Sequence, residues 1–276
     1  RIMEKIFNDL SESIFSELKK NEEAILSFSG EKSQFIRFNN ASIRQTGLVD
    51  DGEIELKLIS GNKISGGGFT VSGDMEIDLK RGIEEIKRMR KENKEIPEDP
   101  FLVKPTNLGS SREIKKSKGL EFENSVDAIL PIMSGLDFVG ILANGKIFRG
   151  NANSLGQKHW FETENHSLDY SLITANHQMV KGLYSGNDWD QEAYEDYVKR
   201  SKKKLNIMEK KPVKIKTGDY RTWFESAAVS DFLGMFSWNG ISEASLRQGC
   251  SGFGKMRHSD SRLSTKFSIF EDFTPG

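Results

Sequence analysis

Four histidines, one cysteine and a close group of arginines and amides are the side chains here with chemistry to offer. His159, Glu162 and His166 lie in "HWFETENHSLDY". On a helix that spacing puts all three on one side, where imidazoles and a carboxylate suit a metal ion. The stretch is rich in aromatic residues and asparagine and reads as strand and turn. On a strand His159 and His166 point to opposite faces, so no metal site is expected there. Cys250 lies between Gly249 and Ser251, with Arg247 its nearest cation in sequence. As a nucleophile it needs a histidine base, for which His258 is nearest, and a structural cysteine is the expectation. There is no Walker A sequence, no G-x-S-x-G and no CxxC pair. "SGGGF" at residues 65–69 has no helix N-terminus after it to receive a phosphate and reads as a bulge or a flexible hairpin.

The densest polar group is in "FIRFNNASIRQTG", residues 35–47. Arg37, Asn39, Asn40, Arg44 and Gln45 interrupt good strand formers, and neither face of such a strand is cleanly apolar. Asn39 and Asn40 tolerate the left-handed backbone of a tight turn. A turn there folds Arg44 back toward Arg37. Two adjacent guanidinium groups are costly unless carboxylates or a ligand compensate, and Asp50, Asp51 and Glu53 are the nearest internal partners in sequence.

The elements that must hold these groups are legible in the patterning. The chain has 276 residues, 36% hydrophobic and 29% charged, the balance of a globular protein with a real core. Its 40 Lys and Arg against 41 Asp and Glu give a net charge of −1, which argues against a dedicated nucleic-acid binder. With one cysteine no intrachain disulfide forms, and a reducing, cytoplasmic setting is expected. No apolar run approaches a bilayer-spanning length, and the first residues lack the apolar core of a secretory signal. Ile6, Phe7, Leu10, Ile14, Phe15 and Leu18 predict a helix over 3–20. Short strands follow at 24–29, 34–39, 42–46, 53–59 and 64–71, with "DDG" at 50–52 and "SGN" at 60–62 as turns. Asp74 predicts the N-cap of a second helix, ended by Pro97 and Pro100. Later come a short helix over 121–130, a hairpin turning at Asn144 and Gly145, a strand in "HSLDYSLITAN" and a helix over 188–207. After these, "KPVKIKTGDYR" predicts a strand and turn, 224–238 a buried helix, and "KFSIFEDF" a closing strand. The expected fold class is α+β. An N-terminal α/β domain spans 1–120, with helices on one face of an antiparallel sheet. A middle region spans 121–210, and an incomplete strand-rich domain starts at 211–276.

Three stretches together carry a resemblance. "FIRFNNASIRQTGLVDDGEIELKLI" with the later "PEDPF", then "KIKTGDYRTWFESAAVSDFLGMFSW", then "GCSGFGKMRHSDSRLSTKFSIFEDF" are similar in order and spacing to the TldD/PmbA family. That family includes modulators of DNA gyrase and is implicated in peptide maturation and proteolysis. The resemblance implies that residues 35–47 form a strand-turn-strand element at a junction or cleft, where Arg37, Asn39, Asn40, Arg44 and Gln45 contact substrate backbone or carboxylate.

Catalytic members of that family resemble zinc metalloproteases with a His-Glu-x-x-x-His helix. The matching helix here, "FESAAVSDFLGMF", holds Glu225 and Asp231 but no histidine, and no histidine in the chain precedes a glutamate. The resemblance therefore falls on the PmbA/TldE branch. It implies no catalytic residue and no cofactor in this chain, zinc only in a TldD-like partner, and binding of peptides or unfolded segments as a dimer with that partner or with itself. Two alternatives stay open: a stand-alone binding protein, and a metalloprotease whose zinc site is completed outside this chain.

Overall fold

The computed structural model describes residues 2–238 and 240–270. Contacts divide the chain into two units, Arg1–Ile215 and Lys216–Gly276. The first is built on one seven-stranded sheet, ordered β3-β2-β1-β5-β6-β4, with β7 also paired to β6. Its strands are β1 (Glu22–Asn39), β2 (Ser42–Ser60), β3 (Lys63–Thr70), β4 (Ser111–Ile114), β5 (Asp137–Asn153), β6 (Lys158–Ile173) and β7 (Met179–Gly186). All pairs are antiparallel except β4 with β6. The class is α+β, with the antiparallel sheet covered by helices on one face.

Four helices supply that cover: α1 (Ile2–Ser16), α2 (Met75–Glu95), α3 (Ser125–Ile129) and α4 (Gln191–Met208). Two start on aspartate caps. Asp74 accepts from the backbone N–H of Glu76 and Ile77, and Asp190 from that of Ala193, pairing donors that a helix start leaves free. Phe7, Leu10 and Ile14 of α1 and Ile86 and Met89 of α2 pack on Leu26, Phe28, Ile54 and Leu56. Ile129 of α3 and Tyr194, Val198 and Leu205 of α4 pack on Ile36, Phe38, Leu142, Leu168 and Tyr170. Along β1, β5 and β6 these core positions are all even-numbered, and strand alternation puts them on one side. Both cores therefore lie under the same face. Between them runs a polar row, Gln34–Asn144–His166, directly aligned across β1, β5 and β6.

Several expected turns are strand interior. Gly52 of "DDG" lies opposite Gly30 inside the β1–β2 ribbon. A Cβ on either glycine would meet the Phe28 ring at 2.8 Å, so both are packing glycines rather than turn glycines. Asn144 and Gly145 sit inside β5, where a Cβ on Gly145 would meet the Lys32 carbonyl oxygen at 2.4 Å. The hairpin turns instead near Gly156, at φ +95°. "SGGGF" is regular β3, its glycines admitting the Glu85 and Arg88 side chains and the β2 backbone. The expected division near residue 120 is a connection inside one unit, because the single sheet joins strands from both sides of it.

The second unit holds α5 (Ser226–Ser237), α6 (Glu243–Arg247) and α7 (Gly254–His258) and no strand among the described residues, where a strand-rich domain was expected. No strand forms over 211–221 or 266–270, and the remainder of the expected closing strand, 271–273, lies outside the described residues. The expected burial of α5 is also not found. Phe232, Met235 and Trp238 are 50%, 63% and 88% exposed, since the described part of this unit supplies no layer broad enough to cover an all-round apolar helix. No helix among the described residues is long and apolar enough to cross a membrane.

Candidate binding face

Among the described residues, no helix of the first unit lies on the face of the sheet opposite the two cores. Its odd-numbered residues on β1, β5 and β6 meet in register: Arg37 opposite Ile141 opposite Asp169, and Glu31 opposite Ile147 opposite Thr163. Near the β1–β2 turn the ladder slips. Arg37 pairs with Gln45 but Phe38 with Ile43, which leaves Arg44 as the extra residue of a β-bulge. A bulge re-aims the side chain it carries. Here it brings Arg44 to the lining of the same depression as Arg37, about 320 Å³ in volume, together with Val139, Ile141, Asp169, Ser171 and Lys181. Asp169 and Lys181 are ion-paired across β6 and β7. Among the described residues neither Arg37 nor Arg44 has a carboxylate within 4 Å. Asp50 pairs with Lys32 at 3.5 Å, and Asp51 and Glu53 line a different depression.

The other expected site residues separate from this pair. Asn39 ends β1 and pairs with Ser42. Asn40 and Ala41, both at φ +50°, form the two-residue turn, so the left-handed positions are 40 and 41 rather than 39 and 40. Asn40 lines another hollow with Ala41, Val126, Asp127, Leu130 and Pro131. Gln45 faces Arg37 across the ladder but does not line the depression. Lys181 and Asp169 join the arginines through strand register, a long-range relation with no local signal in the sequence.

Among the described residues no three His, Cys, Asp or Glu side chains come together as metal donors. His159 and His166 take opposite faces of β6: Nδ1 of His159 lies 2.8 Å from the Ser111 hydroxyl, and His166 is buried in the polar row. Cys250 is exposed in the second unit and packs in no core.

The geometry defines a class: an α+β protein whose long antiparallel sheet is covered by helices of the first unit on one face and, among the described residues, by none of them on the other, with a cationic hollow at one end of that bare face. Solved structures place it further. A proposed modulator of a DNA gyrase from Thermotoga maritima aligns at a TM-score of 0.52 and 13% identity, over 75% of this chain and 50% of that one. A proposed modulator of DNA gyrase from Bacteroides thetaiotaomicron aligns at 0.52 and 13%, over 76% and 51%. TldE from Thermococcus kodakarensis aligns at 0.49 and 16%, over 75% and 47%, too low a score to carry weight. The chain has the TldD/PmbA-type fold and spans about half the length of these structures. No protein-family profile matches the sequence, and no curated protein does.

Proposed function

We propose that this chain is a metal-free, TldE/PmbA-like subunit that binds peptides or unfolded segments in extended form and acts beside a zinc-bearing, TldD-like partner in peptide maturation or proteolysis. The observation that carries the binding role is the bare sheet face with Arg37 and Arg44, two guanidinium groups without carboxylate partners, on the wall of one hollow. Guanidinium groups recognise carboxylates and carbonyls through paired hydrogen bonds, and an extended chain offers both at regular spacing. The metal-free role is supported by the missing His-Glu motif and the scattered donors. Hydrolysis is then the partner's chemistry, and the role of this chain is to hold and orient substrate.

The test combines two measurements on purified protein. Arg37→Ala with Arg44→Ala should weaken peptide binding by about tenfold or more, the loss expected for charge-assisted hydrogen bonds, while Tm stays nearly unchanged. Affinity capture from the native source should retain a zinc-containing homologue. Early unfolding of the variant with normal binding by its folded fraction would make the arginines structural. Capture of no homologue would leave a stand-alone binding protein.

A further inference from the structure

The bare face has a second charged hollow, of opposite sign. Glu31, Asp51 and Glu53 line it with Ser29, Thr70 and Arg149, in a volume of about 300 Å³. Glu31 and Asp51 stand directly opposite each other on β1 and β2, an arrangement that destabilises a sheet. Among the described residues none of the three carboxylates has an ion-pair partner within 4 Å, and the Arg149 guanidinium instead donates to the Phe148 carbonyl oxygen at 2.8 Å. Three carboxylates against one guanidinium leave this hollow at −2. The hollow with Arg37, Arg44 and Lys181 against Asp169 stands at +2. The two share strand β1, and Arg37 and Glu31 lie six residues apart on it. At about 3.4 Å per residue the charges are separated by about 20 Å.

Both excess charges are energetically unfavourable in the free protein, and one ligand relieves both if it is negative at one end and positive at the other. An extended peptide is such a molecule, and about seven residues span about 20 Å. We propose that the bare face binds a short extended peptide by its two free ends, the α-carboxylate at Arg37, Arg44 and Lys181 and the α-ammonium at Glu31, Asp51 and Glu53. This rests on the peptide-binding reading above and adds the ligand: a free peptide of about seven residues rather than an internal segment of a longer chain. Between the two ends the face presents Phe35 and Ala143, with Ser33 and Gly145 buried beside them, and none of the four carries a charge, so the ends rather than the middle set the preference. A nucleic acid does not fit this pattern, because its phosphates would run over the acidic hollow. A second copy of the chain turned end for end matches the charges, but both groups sit in hollows that a chain terminus enters more readily than a pleated sheet face.

Calorimetric titration of the whole chain with a serine/valine heptapeptide tests this. Capping either end, by N-acetylation or C-amidation, should weaken binding by about tenfold, the scale of one lost charge-assisted contact, and tetrapeptides should bind as weakly as doubly capped heptapeptides. Arg37→Ala with Arg44→Ala should abolish the sensitivity to amidation and leave that to acetylation. Glu31→Gln with Glu53→Gln should do the reverse. Equal binding of capped and free heptapeptides overturns this inference and leaves the peptide-binding reading standing, whereas no binding of any peptide at about 1 mM sinks both. Sedimentation velocity showing a dimer lost in either variant set, with peptide failing to compete, gives the face to a second copy and overturns the proposal. Displacement of the heptapeptide by a DNA duplex also overturns it.

Discussion

Replacing His166 with phenylalanine should flatten the stability of the first unit against pH. The ring is 2% exposed, and neither nitrogen has a hydrogen-bond partner. It stacks on Tyr184 at 5.6 Å between ring centres and meets the edge of Trp189 at 5.0 Å. Asn144 and Gly186 flank it on the neighbouring strands. Burial lowers its proton affinity below the ordinary value of 6.5, and the nearby Asp188 carboxylate only partly opposes this. The folded state therefore protonates His166 less readily than the unfolded chain, which takes up a proton near pH 6.5. The unfolded state binds more protons below that pH, so stability falls as pH drops through it. The loss is at most about 1.4 kcal/mol per pH unit, and therefore at most about 1.4 kcal/mol between pH 7.5 and 5.5. Phenylalanine keeps the aromatic contacts and removes both unpartnered nitrogens. Urea denaturation of wild type and His166→Phe at pH 7.5, 6.5 and 5.5 measures the difference. The variant should match or exceed wild type at pH 7.5 and gain on it at pH 5.5 by up to that amount. The same pH dependence in both proteins would refute the reasoning.

Three further outcomes follow from particular contacts. Gly52→Val should lower stability by about 1–3 kcal/mol in chemical denaturation, because its Cβ would meet the Phe28 ring at 2.8 Å in a filled core. Arg90→Ala should cost about 2–4 kcal/mol by the same measurement, since it strands the largely buried Glu22 carboxylate that Arg90 binds at 2.7 and 2.8 Å. Elemental analysis of purified protein should find no stoichiometric zinc, and about one zinc per chain, lost in His159→Ala or His166→Ala, would overturn the metal-free assignment.

Periodicity made the helix-covered sheet legible. The apolar stripes of α1, α2 and α4 and the alternation of "EIELKLI" each require a single face to bury, and α1 and α2 do cover one face of the antiparallel sheet. Turn signals were less reliable where glycine serves packing. Gly52 and Gly145 lie in dipeptides that usually turn, yet one makes room for Phe28 and the other for the Lys32 and Ser33 backbone. Local sequence does not separate a turn glycine from a close-approach glycine, because the deciding neighbour is on another strand. The same limit applies to the bare face. Arg37 and Arg44 stood out as cations near a turn, but the bulge that joins them depends on a register slip. Lys181 and the Glu31, Asp51 and Glu53 hollow come together only through pairing across the sheet. In the second unit the apolar pattern of α5 called for burial that the described residues do not supply.

The central claim is that ligand meets the bare face of the sheet. Isoleucine methyl NMR of the whole chain, with heptapeptide added, tests it most directly. Ile141 and Ile147 lie on that face, Ile36 and Ile54 are buried under the helices, and Ile241 and Ile269 belong to the second unit. The account predicts saturable shifts at Ile141 and Ile147, abolished by Arg37→Ala with Arg44→Ala, and little change at the other four. Shifts confined to Ile241 and Ile269, or no shift at Ile141 and Ile147 under saturating peptide, would contradict it.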